Sequence, residues 1–188
     1  MLQYARKNNM ATGIIILILT GLYLMMWREN LKMWNRRTQD AWNLLLERYK
    51  HRSDLIPGVR AVLKKNDKTM QMALQNLTRC VQKTQGPLSV GERLRAERIL
   101  SQSLDEVLTQ AMKNPNVAGT HNVLEMQMEI ADTQELIQSA ELFYDTVARA
   151  YNARLSYPPG HWAARRLSLL PAQTDEQMFQ RPVLKKKT

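Results

Sequence analysis

The residues able to do chemistry are few and scattered along the chain. His51, His121 and His161 lack the i, i+4 histidine pairing of a helical zinc site, so no metal ligands are assigned and His51 is read as a helix-surface residue. Cys80, the single thiol, is read as a packing residue, not a nucleophile. Gly86 to Gly91 imitates the first half of a phosphate loop. The imitation fails because Glu92 stands where a Lys must reach the phosphates, and no strand precedes it. Asn76-Leu77-Thr78 spells a glycosylation acceptor but falls inside a helical stretch. No acid-base pair or nucleophile arrangement is visible, so the chain is expected to be no enzyme and to need no cofactor.

Two clusters and a basic tail carry more. Arg48, Lys50, Arg52 and Asp54 surround Leu55, Ile56 and Pro57, which sets charges and exposed aliphatics beside a helix interruption where a partner could dock. The alternative is that Leu55 and Ile56 close the core at a bend while Arg52 and Asp54 form a local salt bridge or cap. Tyr144, Tyr151, Asn152 and Tyr157 share a helix end, where phenolic hydroxyls can bond across to a facing helix as interior clamps. Arg165, Arg166, Arg181 and Lys185 to Lys187 suit an anionic lipid surface. Only Trp162 and Phe179 interleave with them, so nucleic acid ranks lower as a partner.

These residues must be held by helices. The chain has 188 residues, net charge +10 and one Cys, the size of one domain with a short appendage. A single thiol excludes an internal disulfide and any multi-Cys metal site. Apolar residues at 44% can build a core, and the 6% aromatic share suits aliphatic helix packing, so the fold class is all-α. Met10 to Trp27 holds eighteen consecutive uncharged residues. As a helix that run covers roughly 27 Å, one membrane crossing. Arg6 and Lys7 precede it, and Trp27 and Arg28 follow at the interfacial level. A cleaved signal peptide is the rival reading, against which the run ends in Leu24, Met25, Met26 and Trp27 instead of a small-residue cleavage site. A buried core helix is a third. The Lys and Arg count of the two flanks tilts toward a cytoplasmic C-terminal side. From Arg28 onward stand 25 of the 27 basic and all 17 acidic residues, an excess that favours an anionic neighbour such as the inner leaflet.

Glu29 to Tyr157 reads almost entirely as helix. Leu31, Trp34, Ala41, Trp42, Leu45 and Tyr49 recur at three- and four-residue steps. Ile56, Val59, Leu63, Met70, Ala73, Leu77 and Cys80 continue that register, interrupted by Arg52 and Asn66, which favours one long helix kinked at Pro57. A hairpin there, with Pro57 opening a new helix and Asp54 capping it, stays open. Gly86, Pro87 and Gly91 mark a turn, and Ser89 with Glu92 forms a capping box. A third helix follows, with Leu94, Leu100, Leu104, Leu108 and Ala111 inward, ending at Asn114-Pro115. The last and longest runs from about Gly119 to Tyr157, with Val123, Met126, Ile130, Thr133, Ile137, Ala140, Tyr144, Val147 and Tyr151 at core positions. Short connections make this an elongated antiparallel up-and-down helical bundle of three to four long helices behind one transmembrane helix. The expected divisions are 1–9, a short basic N-terminus; 10–27, the transmembrane helix; 28–157, the bundle; and 158–188, a disordered basic tail with prolines. Leftover apolar residues such as Met72 and Met128 permit a homo-oligomer.

Ala41-Trp42 followed by Arg52-Ser53-Asp54-Leu55-Ile56-Pro57-Gly58-Val59 resembles the LemA family signature, an AW pair leading into an Arg-x-Asp-Leu-Ile-Pro segment. Asn114-Pro115, Ile130 to Thr133, Ile137, Ala140, Tyr144, Tyr151-Asn152 and Pro158 fall where that family carries its further elements, so the resemblance spans roughly 28–170. Gly58 stands in place of the usual Asn, Gln134 in place of Glu, Glu141 in place of Arg, Asp145 in place of Asn, and Asn66-Asp67-Lys68 where many members have a His-Glu pair. The chain is similar to a divergent member. The resemblance implies a bundle tethered to the bacterial inner membrane, the N-terminus outside and the bundle in the cytoplasm. The resemblance links such proteins in general to membrane-protease and envelope-maintenance functions and, together with the lack of a catalytic constellation, favours a non-catalytic scaffold or adaptor role among membrane proteins.

Overall fold

Leu, Met, Arg, Lys, Gln and Glu dominate the sequence between its few glycines and prolines, and these side chains lose little rotamer freedom in a helix. The computed structural model describes residues 2–63, 68–113, 120–156 and 172–173. Within them the chain forms four helices and no strand: α1 (Leu2–Leu63), α2 (Lys68–Thr84), α3 (Val90–Lys113) and α4 (His121–Ser156).

Helix α1 is the longest, not α4 as the heptads suggested, because the apolar run and the first core stripe are one unbroken helix. From Thr12 to Met26 every side chain is exposed, which excludes the buried-core-helix alternative for this run. The Thr20 hydroxyl donates to the Ile16 carbonyl at 2.7 Å, so it needs no water. By length and composition α1 can cross a membrane.

Pro57 lies inside α1, so neither a hairpin at this point nor an Asp54 cap forms. Proline removes the bond to the Ser53 carbonyl, a cost of about 3 kcal/mol in a helix interior. Burial of Ile56, Val59 and Leu63 on the core side opposes that cost, while Pro57 and Gly58 stand on the exposed side. The single helix expected to reach Cys80 instead ends at Leu63. Met70, Ala73 and Leu77 keep the core register from a second helix, α2, and all three are buried.

Between α2 and α3 the turn is built as the capping box requires. The Ser89 amide donates to Glu92 Oε2 at 3.0 Å and its hydroxyl at 2.7 Å, while the Glu92 amide donates back to Ser89 Oγ at 3.4 Å. The hydroxyl and then the amide of Ser89 hold the Glu92 carboxyl below its ordinary value. This contribution is therefore present above the usual carboxylate range and is lost as pH falls through the lowered value. Glu92→Gln is expected to flatten that portion of the acid limb of stability, read by circular dichroism melts between pH 2 and about pH 5.

Two compact units divide the chain, Met1–Asp40 with Thr146–Ala172 and Ala41–Asp145 with Gln173–Thr188, and helices α1 and α4 contribute to each. In the first, Leu31, Tyr151 and Leu155 form a small core against which Trp27, Trp34 and Ala172 pack. The Arg154 guanidinium lies 3.7 Å from the Trp34 ring centroid. In the second, Ile56, Val59 and Leu63 of α1 meet Leu74 and Leu77 of α2, Leu100, Leu104 and Val107 of α3, and Val123 and Ile130 of α4. On α3 the inward residues are Leu100, Leu104, Val107 and Ala111, with Leu94 and Leu108 only half-buried.

Candidate interaction site

Arg52 holds a core position of α1, one step after Tyr49 and one before Ile56, and its side chain is 1% exposed. It does not meet Asp54, which points to solvent. Its partner is Glu97 of α3, also 1% exposed, with Arg52 Nη2 at 2.6 Å from Oε2 and 3.1 Å from the Glu97 carbonyl. Nη1 donates to Ser101 Oγ and, at 3.3 Å, to Gln134 Oε1 of α4. One guanidinium thus ties three helices. The expected local pair fails because residues two apart on a helix face different ways, whereas Glu97 sits on the inward face of its own helix.

Around this pair the polar groups close into a network. Arg93 Nε lies 3.1 Å from Glu97 Oε1, and Arg93 Nη1 donates to the carbonyl of Thr84, the last residue of α2. A cation thereby meets the negative end of that helix. Burial raises the Glu97 carboxyl above its ordinary range, with Arg52 and then Arg93 working against the rise. The Arg52 guanidinium lies 5.5 Å from the Tyr49 ring centroid, and the Tyr49 hydroxyl donates to Glu141 Oε1 at 2.6 Å. Burial first, then the Glu141 charge, pushes the Tyr49 phenol far up.

The motif residues following Arg52 divide by depth. Ile56 is buried, Leu55 half-buried, and Asp54 and Pro57 exposed, so the exposed aliphatic surface is narrower than the sequence suggests. Leu55 lines a groove of about 320 Å³ between α1 and α4, with Val59, Val62, Met126 and Ile130 as apolar lining and Asp54, Glu125 and Glu129 as carboxylates.

Of the tyrosine and asparagine cluster, Tyr144 and Asn152 hold the chain at residues 172 and 173. Tyr144 donates to the Gln173 carbonyl at 3.0 Å, while its ring packs 5.3 Å from that of Trp42. Asn152 donates to the Ala172 carbonyl and accepts from the Ala172 amide, both at 2.8 Å. Gln173 Oε1 accepts from the Gly91 amide at 2.7 Å. Tyr151 is buried beside Leu31. Tyr157, His161, Arg165, Arg166, Arg181 and Lys185 to Lys187 lie outside the described residues. Burial, then Asp145, pushes the Tyr144 phenol up to about 12. Stability from this group is full below pH 10 and is lost as pH rises from there through about 12. Tyr144→Phe is expected to remove that part of the alkaline loss, and the phenolate absorbance of the folded chain is expected to rise later than in the denatured one.

His51 is exposed, and Cys80 packs half-buried at the core edge with Sγ 3.2 Å from Ser103 Oγ. Among the described residues no three His, Cys, Asp or Glu side chains converge to hold a metal.

The helix that carries Ala41-Trp42 and the Arg52 to Val59 segment is where a family match begins. The LemA family model matches residues 41–183. The chain belongs to the LemA family. The match starts later than the residue 28 expected from the motifs and extends past 170 to include Ala172 and Gln173, the residues clamped by Tyr144 and Asn152. Comparison with curated protein sequences gave no match. Within the matched residues, Gln134 reaches Arg52 and Glu141 takes the Tyr49 hydroxyl. Sequence reasoning missed Glu97 and Gln173. Glu97 carried a signal, since it stands three residues before Leu100 in the stripe Leu100, Leu104, Val107, Ala111, as Arg52 interrupts the stripe of α1. Opposite charges at core positions of two helices point to each other. Gln173 carried none.

Proposed function

We propose that this LemA family chain is a non-catalytic, membrane-anchored scaffold or adaptor, which presents helix faces to other membrane proteins at the bacterial inner membrane and serves envelope maintenance. The observation that carries the reading is α1: the exposed apolar run from Thr12 to Met26 and the core residues Leu45, Ile56 and Val59 lie on one unbroken helix. Signal cleavage after Trp27 would cut through that helix, so the run is read as a retained anchor. The soluble part is read as an antiparallel up-and-down bundle in the cytoplasm. Trp42 with Tyr144, Tyr49 with Glu141 and Arg52 with Gln134 support opposite directions for α1 and α4. The groove beside Leu55 is the favoured docking place. Exposed Leu124, Met128 and Phe143 on α4 offer apolar surface for self-association.

Carbonate-washed membranes are expected to retain the full chain, and removal of residues 1–27 to release it with its helicity kept. Retention of the shortened chain would defeat the anchor. Crosslinking in intact membranes is expected to join the groove face to membrane proteins, and protease added outside sealed, right-side-out cells is expected to spare the C-terminus. A second reading, a basic accessory protein at an anionic lipid surface, is favoured by Arg28, Arg36 and Arg37, which are exposed just past Trp27.

A further inference from the structure

The groove between α1 and α4 has an unusual lining for a chain of net charge +10. Asp54, Glu125 and Glu129 bring three carboxylates to its edge, and Leu55, Val62 and Met126 supply an apolar floor. All three carboxylates stand on exposed residues. Among the described residues His121 stands beside them, its Nε2 4.0 Å from Glu125, a contact that is ionic only when the imidazole is protonated. A Cβ built on Gly58, which also lines the groove, would meet nothing within 4 Å, so the wall is open there. Such a lining suits a segment with aliphatic side chains followed by lysines, whose stems lie on the floor while their ammonium groups reach the rim.

We propose that the groove is filled by the chain's own C-terminal segment, Arg181 to Thr188. That segment reads Arg-Pro-Val-Leu-Lys-Lys-Lys-Thr, with two aliphatics, four cations and no acid. Its point of departure is fixed, because Gln173 is held by Tyr144 of α4 and by Gly91 at the start of α3. Tyr144 stands fifteen residues along α4 from Glu129. At helical rise that distance is about 22 Å. Arg181 lies eight residue steps beyond Gln173. Extended, eight steps reach about 27 Å, so Arg181 and the residues beyond it can attain the groove without any rearrangement of the helices. Attachment also supplies what weak surface ion pairs lack. A short tether gives an effective concentration on the order of 1 mM, enough to fill the groove about nine-tenths of the time even if the free peptide bound with a Kd on the order of 0.1 mM. The filled groove is then closed to a partner until the tail is displaced. Tail docking itself does not depend on the scaffold reading, since it concerns the purified chain alone.

The test uses the full chain, purified in detergent, with zero-length carbodiimide crosslinking of carboxylates to amines and mass spectrometry of the peptides. Crosslinks from Lys185, Lys186 or Lys187 to Asp54, Glu125 or Glu129 are expected, formed within single chains when isotopically heavy and light protein are mixed. Their absence, while other exposed carboxylates such as Glu106 do react, would overturn the proposal. So would mixed heavy–light crosslinks in the proportion of random pairing between chains, which would make the occupant a second copy. Independently, Glu125→Lys with Glu129→Lys is expected to speed tryptic cleavage at Lys185 to Lys187 about tenfold, the release of a segment bound nine-tenths of the time. An unchanged cleavage rate would also overturn it.

Discussion

Arg52→Met is expected to cost about 3–5 kcal/mol of unfolding free energy, the range for removing one partner of a buried ion pair. The side chain fills its place in α1 between Tyr49 and Ile56 with a residue of similar length, so the loss is electrostatic more than steric. Glu97, Ser101 and Gln134 all lose a donor at once, and Glu97 keeps only Arg93. Because burial already raises the Glu97 carboxyl, removing the cation that chiefly opposes the rise lifts it further. The folded variant then takes up a proton more readily than the unfolded one. Its deficit relative to the parent is full where Glu97 is ionised and narrows as pH falls through the raised value. Denaturant melts at several pH values would show the gap closing toward acid. Arg52→Met combined with Glu97→Met is expected to recover most of the loss, since two apolar side chains leave no buried charge behind. A double variant as unstable as the single one would show that the pair contributes through its packing.

The same pair explains what could be read in advance and what could not. Repeated apolar spacing is a property of one helix, and so the stripe from Val123 to Tyr151 was legible: every position expected inward is buried, except Met126, which is half-buried. Helix ends were legible where they depend on local chemistry, as at Ser89 and Glu92. Pro57 misled in part, because the cost of a proline is local while the burial of Ile56, Val59 and Leu63 that outweighs it is tertiary. Arg52 is conspicuous in the sequence by its type, but its depth is set by tertiary packing, which buries it. The nearest charges in sequence, Lys50 and Asp54, stand two positions away, and its neighbours in space are Glu97, Ser101 and Gln134, 45, 49 and 82 residues away. Contacts at such separations leave a mark in a sequence only as an interruption in each stripe. The clamp on Ala172 and Gln173 left none, because Tyr144 and Asn152 hold backbone groups, which any residue could present.

Depth also decides how the Leu55-Ile56 pair must be tested. Ile56→Asp is expected to abolish folding, which makes it a probe of the core and not of docking. Ile56 is 3% exposed among Val59, Leu63 and Ile130, and an aspartate there forfeits the burial of a large aliphatic side chain and desolvates a carboxylate with no cation assigned to it. Losing the aliphatic burial alone costs about 1.5–3 kcal/mol. Burying the carboxylate adds several more, so the sum approaches or exceeds a typical total stability of about 5–15 kcal/mol. Loss of helicity and of the cooperative melt would be the readout, and a folded Ile56→Asp chain would contradict the burial described. Leu55→Asp, one residue earlier, turns the comparison into a functional one. Leu55 is half-buried at the groove beside Asp54, Glu125 and Glu129, so its aspartate stays wet and the fold is expected to lose only about 1 kcal/mol. A partner held by apolar contact with the groove floor is expected to dissociate from this variant while helicity stays that of the parent. Undiminished capture by Leu55→Asp would place the docking surface elsewhere, and the depth of Ile56 rules it out as the alternative contact on this turn of α1.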